Sequence, residues 1–228
     1  MPASATPTLV STREKLLWAA PVFGLSAASF LYVDARNAAL TASSSTLPLE
    51  TAVDAWLPFI PHFVFAYILY YPWLLLPLRV LQTRESFFRC LGAFVAMQLI
   101  AEAVFVLYPS HIVRPVVVGS GLSETLLRSV YGLDVGWNLF PSLHVGHSVL
   151  VALVYRRYAR RGVGLVWLGT FLISASTVLI KQHFFVDILA GAALAGVCYF
   201  AAWRALPAVV ARLRALDSAR VPGHQAPP

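Results

Sequence analysis

The sequence predicts an all-α, polytopic membrane protein, a six-transmembrane-helix bundle, and three observations carry that expectation. Of its 228 residues, 59% are hydrophobic and only 12% charged, a balance that a soluble domain of this size would struggle to keep in solution. Six apolar runs recur along the chain, each spanning much or all of a hydrocarbon layer of about 30 Å at about 1.5 Å of rise per residue. The basic residues fall in short clusters between those runs, as the positive-inside rule requires.

Residues Met1 to Thr12 are small and polar, with Pro2 and Pro7, and are expected to be disordered or on the surface. The first span covers about Leu16–Val33. Arg13 and Lys15 before it and Ser26-Ala27-Ala28-Ser29 within it also fit a cleaved signal peptide. An uncleaved span is preferred, because further spans follow and the helix count then closes. The second span, about Trp56–Leu78, contains Pro58, Pro61, Pro72 and Pro77, so its ends are kinked or it enters along the interface. The third covers about Phe87–Tyr108. The fourth, about Leu139–Tyr155, is the shortest, which recesses Ser142 and His144 slightly. The fifth covers about Val163–Ile180 and the sixth about Phe184–Trp203. The chain thus divides into a segment 1–12, a membrane domain 13–206 and a basic, Pro-rich tail 207–228, with Ser43-Ser44-Ser45 read as linker.

Six spans with both termini cytoplasmic place Arg13/Lys15, Arg79–Arg89, Arg156–Arg161 and Arg204–Arg220 on one side. Arg36, Arg114, Arg128 and Lys181 fall on the other. The net charge of +7 forms no continuous stripe, so nucleic acid is not an expected partner; membrane lipids are. The two cysteines, Cys90 and Cys198, lack CxxC or Cys/His spacing, which argues against a disulfide framework or a cysteine-based zinc site.

Three polar stretches fall on the extracytoplasmic side: Tyr108–Pro115, Phe140–His144 and Lys181–Asp187. A spacing of four puts His183 and Asp187 on one helical face, where the carboxylate can fix the ring's tautomer and leave the other nitrogen free to attack. A buried pair that merely satisfies two polar groups is the plainer reading. His144, after Pro141-Ser142 at a helix start, sits where unpaired N–H groups and the helix dipole favour a phosphate; a cap with a surface histidine is its plain alternative. Arg114 offers a planar fork for phosphate oxygens, stiffened by Pro115. His147 shares a face with His144 and is expected to hydrogen-bond within the bundle or touch substrate. His62 and His111 read as interfacial, and Glu102 as facing the bundle interior.

Arg-Pro, then Pro-Ser-x-His, then His-x-x-x-Asp, in that order and at one membrane face, resembles the three-part signature of the type-2 phosphatidic acid phosphatase superfamily of lipid phosphatases and phosphotransferases. The resemblance covers roughly Trp56–Gly191. Phe140-Pro-Ser-Leu-His-Val145, Lys181-Gln-His-Phe184 and Pro58-Phe59-Ile60-Pro61 look most like the branch that includes inositol phosphorylceramide synthase. The resemblance implies a six-helix bundle and a metal-independent, cofactor-free reaction through a phosphohistidine. It makes His183 the nucleophile, Asp187 its orienting group and His144 the acid for the departing alcohol. Arg114, Ser142 and the backbone near Leu143 would hold the phosphate of a phospholipid, isoprenoid or sphingolipid phosphate. The expected setting is a bacterial inner membrane.

The pattern departs from the superfamily at two places. Leu107 stands where a lysine is common, and Ser176-Thr177 where Ser-Arg is common. Lys181 is the candidate to restore one of these charges, and Arg128 a second. Transfer of a phosphoryl head group, such as inositol phosphate, to a lipid or sugar alcohol is the alternative to hydrolysis. A zinc hydrolase using His144, His147, His183 and Asp187, and a lipid-phosphate binder without turnover, are the readings from other classes.

Overall fold

A computed structural model describes residues 7–40, 48–205 and 207; the Ser43–Ser45 linker and nearly all of the tail lie outside the described residues. The described chain is helical throughout, with no strand among the described residues. Its helices are α1 (Thr12–Leu40), α2 (Ala52–Trp56), α3 (Val64–Ile68), α4 (Tyr70–Trp73), α5 (Leu76–Val80), α6 (Arg84–Leu107), α7 (Leu122–Leu133), α8 (Leu143–Tyr158), α9 (Val163–Leu179) and α10 (Phe185–Phe200). A π-helical turn, Ala201–Ala205, extends α10.

Among the described residues, three helices are long and apolar enough to cross a membrane: Thr12–Leu40, Arg84–Leu107 and Phe185–Ala205. α8 and α9 have 16 and 17 residues, about 24–26 Å at about 1.5 Å per residue. The expected second span is not one helix. Prolines lack the N–H that a helix interior needs and clash with the preceding turn, and the run breaks into α2, a 3₁₀ turn at Pro61–Phe63, α3, α4 and α5.

α8 is central, packed against α10, α9, α6 and α5, while α1 lies along α6. The main core joins Phe94, Met97, Ala101 and Phe105 of α6 to Leu143, Leu150 and Val154 of α8 and Ala195 and Cys198 of α10. α8 and α10 cross closely at two glycines. A Cβ on Gly191 would stand 2.3 Å from the Ser142 carbonyl oxygen, and one on Gly146 would stand 3.2 Å from the Gly191 carbonyl oxygen.

Two parts of the chain differ from the sequence expectation. Residues 8–10, expected to be disordered or on the surface, pair with the α5–α6 connection: Val10 N–H donates to Gln82 O (3.0 Å) and Arg84 N–H to Thr8 O (2.9 Å), burying Val10. The connection after α6 holds α7, a helix too short to stand out among the long apolar runs of the sequence. Its apolar positions Leu122, Leu126, Leu127, Val130 and Leu133 recur with helical spacing. Leu127 packs with Val64, Tyr67 and Ile180, so α7 sits against α3 and the C-terminal end of α9.

Candidate active site

The three polar stretches meet where α8 and α10 begin. α9 ends in a tight cap in which the Thr177 carbonyl accepts from Gln182 N–H (2.8 Å) and His183 N–H (3.1 Å). Lys181 there adopts φ 52°, a left-handed conformation that favours glycine. Four residues later α10 starts. Asp187 Oδ2 accepts from Phe184 N–H (2.9 Å) and lies 3.2 Å from His183 Nδ1, so one carboxylate both caps the helix and holds the imidazole. Asp187 is fully buried and His183 is 7% exposed. With Nδ1–H donating to the carboxylate, the lone pair of Nε2 is the free one.

The second stretch joins the third through the backbone. Ser142 N–H donates to Asp187 O at 3.1 Å, and Ser142 Oγ caps α8 by accepting from Val145 N–H at 3.4 Å. Helix geometry leaves the N–H groups of Leu143 and His144 without an intrahelical acceptor. The His144 ring is held between Tyr67 and Tyr70, with centroids 4.4 and 4.3 Å away, and lies 6.1 Å from the His183 ring.

The first stretch contributes through Ser110 and Arg114. Buried Ser110 Oγ accepts from Leu139 N–H (3.3 Å) and Phe140 N–H (3.4 Å), tying it to the second stretch. Arg114 reaches the third: its Nη2 donates to Gln182 Oε1, beside His183, and to Asp134 Oδ1 at 2.9 Å. Its Nη1 donates to the carbonyl of Asp134, and its guanidinium stacks over Tyr131 at 4.7 Å. Burial pushes the Tyr131 hydroxyl up to about 12 despite the opposing charge of Arg114, so it stays a donor, to the Ile180 carbonyl. Burial and the Arg114 charge together lower the pKa of His111, which stacks on Trp137.

Four polar atoms of this cluster are buried with no hydrogen-bond partner among the described residues: Arg114 Nε, His144 Nε2, Gln182 Nε2 and Asp187 Oδ1. A buried donor left unpaired costs about 1–3 kcal/mol; Arg114 Nε and Gln182 Nε2 are such donors, and His144 Nε2 is one whenever it carries a proton. Beside them opens a cavity of about 470 Å³, lined mainly by apolar and aromatic side chains of α1, α3, α4, α6 and α7 and by His144, His147 and Asp134.

The remaining candidates lie apart from that cluster or beside it. Lys181 Nζ donates to the carbonyls of Leu57 (2.7 Å) and Asp54 (3.1 Å). Arg128 is exposed and donates to Gly119 O (2.8 Å) and Val117 O (3.2 Å), bracing the outer loop. His147 Nδ1 is 2.8 Å from the Tyr70 hydroxyl and its ring stacks on Phe94 at 4.0 Å. Among the described residues, no group of three or more His, Cys, Asp or Glu side chains is arranged to hold a metal ion, so the residues of the zinc alternative do not form a ligand set. At the positions of the superfamily's Ser-Arg, Ser176 and Thr177 turn their hydroxyls back onto their own helix, toward Ile173 O and Ser174 O.

Sequence reasoning passed over Gln182, Asp134 and Asp54. Asp54 Oδ1 accepts from Phe185 N–H at 2.7 Å, capping α10 from α2, while its Oδ2 closes the first turn of α2 through Thr51. Gln182 adjoins His183 and had a positional signal; Asp54 had only the Thr51-x-x-Asp54 spacing of a local helix cap, and Asp134, at the end of α7, had none.

Fold and site define a helical membrane protein in which two histidine rings lie 6.1 Å apart, one of them held by a buried aspartate, with an arginine bonded to the glutamine next to it. The chain belongs to the PAP2 superfamily, whose family model matches residues 44–201, and whose members are in general phosphatases or related phosphotransferases. No curated protein and no solved structure matches it.

Proposed function

We propose that this protein is an integral membrane lipid phosphatase or phosphotransferase that works through a phosphohistidine on His183. The observation that carries the reading is the His183–Asp187 pair, 6.1 Å ring to ring from His144, beside the unpaired donors of Arg114 and Gln182. His183 Nε2 attacks phosphorus, the P–O bond to the alcohol breaks, and His144 gives that oxygen its proton. Water or a second alcohol then attacks phosphorus, the P–N bond breaks, and His144 takes the proton from the attacking hydroxyl. Arg114, Ser142 and the amides at Leu143 and His144 hold the phosphate oxygens, stabilising the charge of the transition state. The mechanism uses no metal.

The apolar cavity at His144 supports a lipid substrate, with six membrane segments, cytoplasmic termini and the site toward the extracytoplasmic side. The burial of His183 and Asp187 favours transfer to an alcohol that carries its own apolar body, in line with the inositol phosphorylceramide synthase-like motifs. Labelled phosphate from a lipid phosphate should be trapped on the wild-type chain in an acid-labile form and be absent from His183→Ala. Full turnover by His183→Ala would sink the mechanism. Comparing inorganic phosphate release with and without inositol or a lipid alcohol separates hydrolysis from transfer.

A further inference from the structure

We infer that Asp134 is the resident counter-anion of Arg114 and sets the site's affinity for anions, and that phosphate enters by replacing its carboxylate on the guanidinium. The inference rests on the assignment of Arg114 to the phosphate.

An arginine presents five N–H donors in a planar fork, and a phosphate takes two of them along one edge. In this structure the Nη2 corner is engaged by Asp134 Oδ1 at 2.9 Å and by Gln182 Oε1, and Nη1 by the Asp134 carbonyl. Nε is buried and has no partner among the described residues. A phosphate approaching along the Nε–Nη2 edge therefore finds Nε open and Nη2 occupied, and the group to be displaced is a carboxylate of like charge to itself. The Arg114 side chain is 10% exposed and Asp134 19%. A guanidinium buried to that degree without a counter-charge is costly, which gives Asp134 a role as the counter-charge of Arg114.

The surroundings let the carboxylate leave without moving the chain. Asp134 lines the 470 Å³ cavity, so its side chain can turn into open space. A turning carboxylate gives up its bond from Gly136 N–H (2.8 Å), but the loop keeps other ties: Asp34 of α1 accepts from Val135 N–H (2.7 Å) and Trp137 N–H (2.8 Å), and Ile112 N–H donates to Gly136 O. Gly136, at φ 85°, lets the loop press against Arg114; a Cβ there would meet the guanidinium carbon at 3.3 Å. The pair thus positions the fork when no phosphate is present and opposes every anion that comes to it. Removing the charge of Asp134 while keeping its loop should tighten anion binding, whereas a residue that only supports the loop would loosen it when changed.

The test is competitive inhibition by inorganic phosphate and by vanadate, measured on the full-length protein in detergent with a lipid phosphate substrate. Asp134→Asn and Asp134→Ser each keep an oxygen that can accept from Gly136 N–H, as Asp134 Oδ1 does at 2.8 Å. Both variants should lower the inhibition constants of both anions about tenfold, the worth of one lost like charge near a partly buried site. In an Arg114→Ala background the same changes should shift the constants less than about twofold, because the contested group is gone. Unchanged or weakened inhibition in both Asp134 variants, with Arg114→Ala weakening it, overturns this inference and leaves the phosphate role of Arg114 intact. Unchanged inhibition in Arg114→Ala overturns both.

Discussion

Gly191→Ala should pull the two halves of the active site apart. Gly191 lies one turn beyond Asp187 on α10, where the helix crosses the start of α8, and a Cβ there would stand 2.3 Å from Ser142 O and 3.2 Å from its carbonyl carbon. Ordinary contact begins near 3.4 Å, so the crossing must widen by about 1 Å in an interior packed too tightly to absorb it locally. The obstacle is a backbone carbonyl, which cannot rotate away as a side chain can. Overpacking of this kind costs about 1–3 kcal/mol, against about 1 kcal/mol gained from replacing glycine in a helix. Gly196→Ala on the same helix isolates the steric part, because nothing lies within 4 Å of its Cβ position. The helix gain is then common to both variants. Gly191→Ala should be less stable than Gly196→Ala by about 1–3 kcal/mol, read from thermal unfolding in detergent. Ser142 leads into His144 and Asp187 holds His183, so the same shift misplaces acid against nucleophile; kcat/KM should fall about 100-fold. Equal stability and equal kcat/KM for the two alanine variants would refute the close crossing as the device that sets the site.

Asp187→Asn should abolish turnover with the fold kept, since an amide can cap α10 but cannot take the charge that builds on His183; a kcat within about tenfold of wild type would contradict the orienting role. His144→Ala should slow substrates with poor leaving groups most, read as a steeper dependence of kcat/KM on leaving-group pKa. Lys181→Ala should cost about 1–3 kcal/mol of stability through the lost bonds to the Leu57 and Asp54 carbonyls, with the vanadate inhibition constant changed by less than about twofold; a loss of anion affinity of about tenfold or more would instead make Lys181 a phosphate ligand. Saturating chelator should leave turnover unchanged, measured against an untreated sample, and loss of activity restored by zinc would count against the phosphohistidine.

What the sequence made legible was local. His183 and Asp187 meet because four residues make one helical turn, and Ser142 caps α8 because a serine before an apolar run does so; both follow from spacing alone. The long helices α6, α9 and α10 follow from apolar length. The second run did not, since four prolines say that a helix breaks but not where the pieces go. α7 was missed because it is amphipathic and short, and a search for spans looks for neither property. The partners that complete the site are remote: Asp54 reaches Phe185 across 131 positions and Arg114 reaches Gln182 across 68. An acid at a helix end reads the same whether it faces water or a distant partner, so nothing local tied Asp54 to α10 or Asp134 to Arg114 until the chain was folded.

The placement of the site at two helix starts has an electrostatic consequence that the residues themselves do not state. The N-termini of α8 and α10 come together, joined by the Ser142 N–H to Asp187 O bond, and each carries about half a positive charge. Asp187 and Asp54 answer the α10 terminus, one at Phe184 N–H and the other at Phe185 N–H. At α8 the first amides meet only a neutral cap, the hydroxyl of Ser142. Of the two termini, α8 therefore retains its attraction for an anion, and the phosphate should bind on the Leu143–His144 side while α10 supplies the nucleophile. A helix terminus stabilises a nearby anion by about 0.3–1 kcal/mol at the surface and up to about 2 kcal/mol when partly buried. With Ser142 1% exposed, the upper end applies, and Ser142→Asp, which places a charge on that terminus, should weaken vanadate inhibition by about tenfold or more, whereas Ser142→Thr should leave it within about threefold.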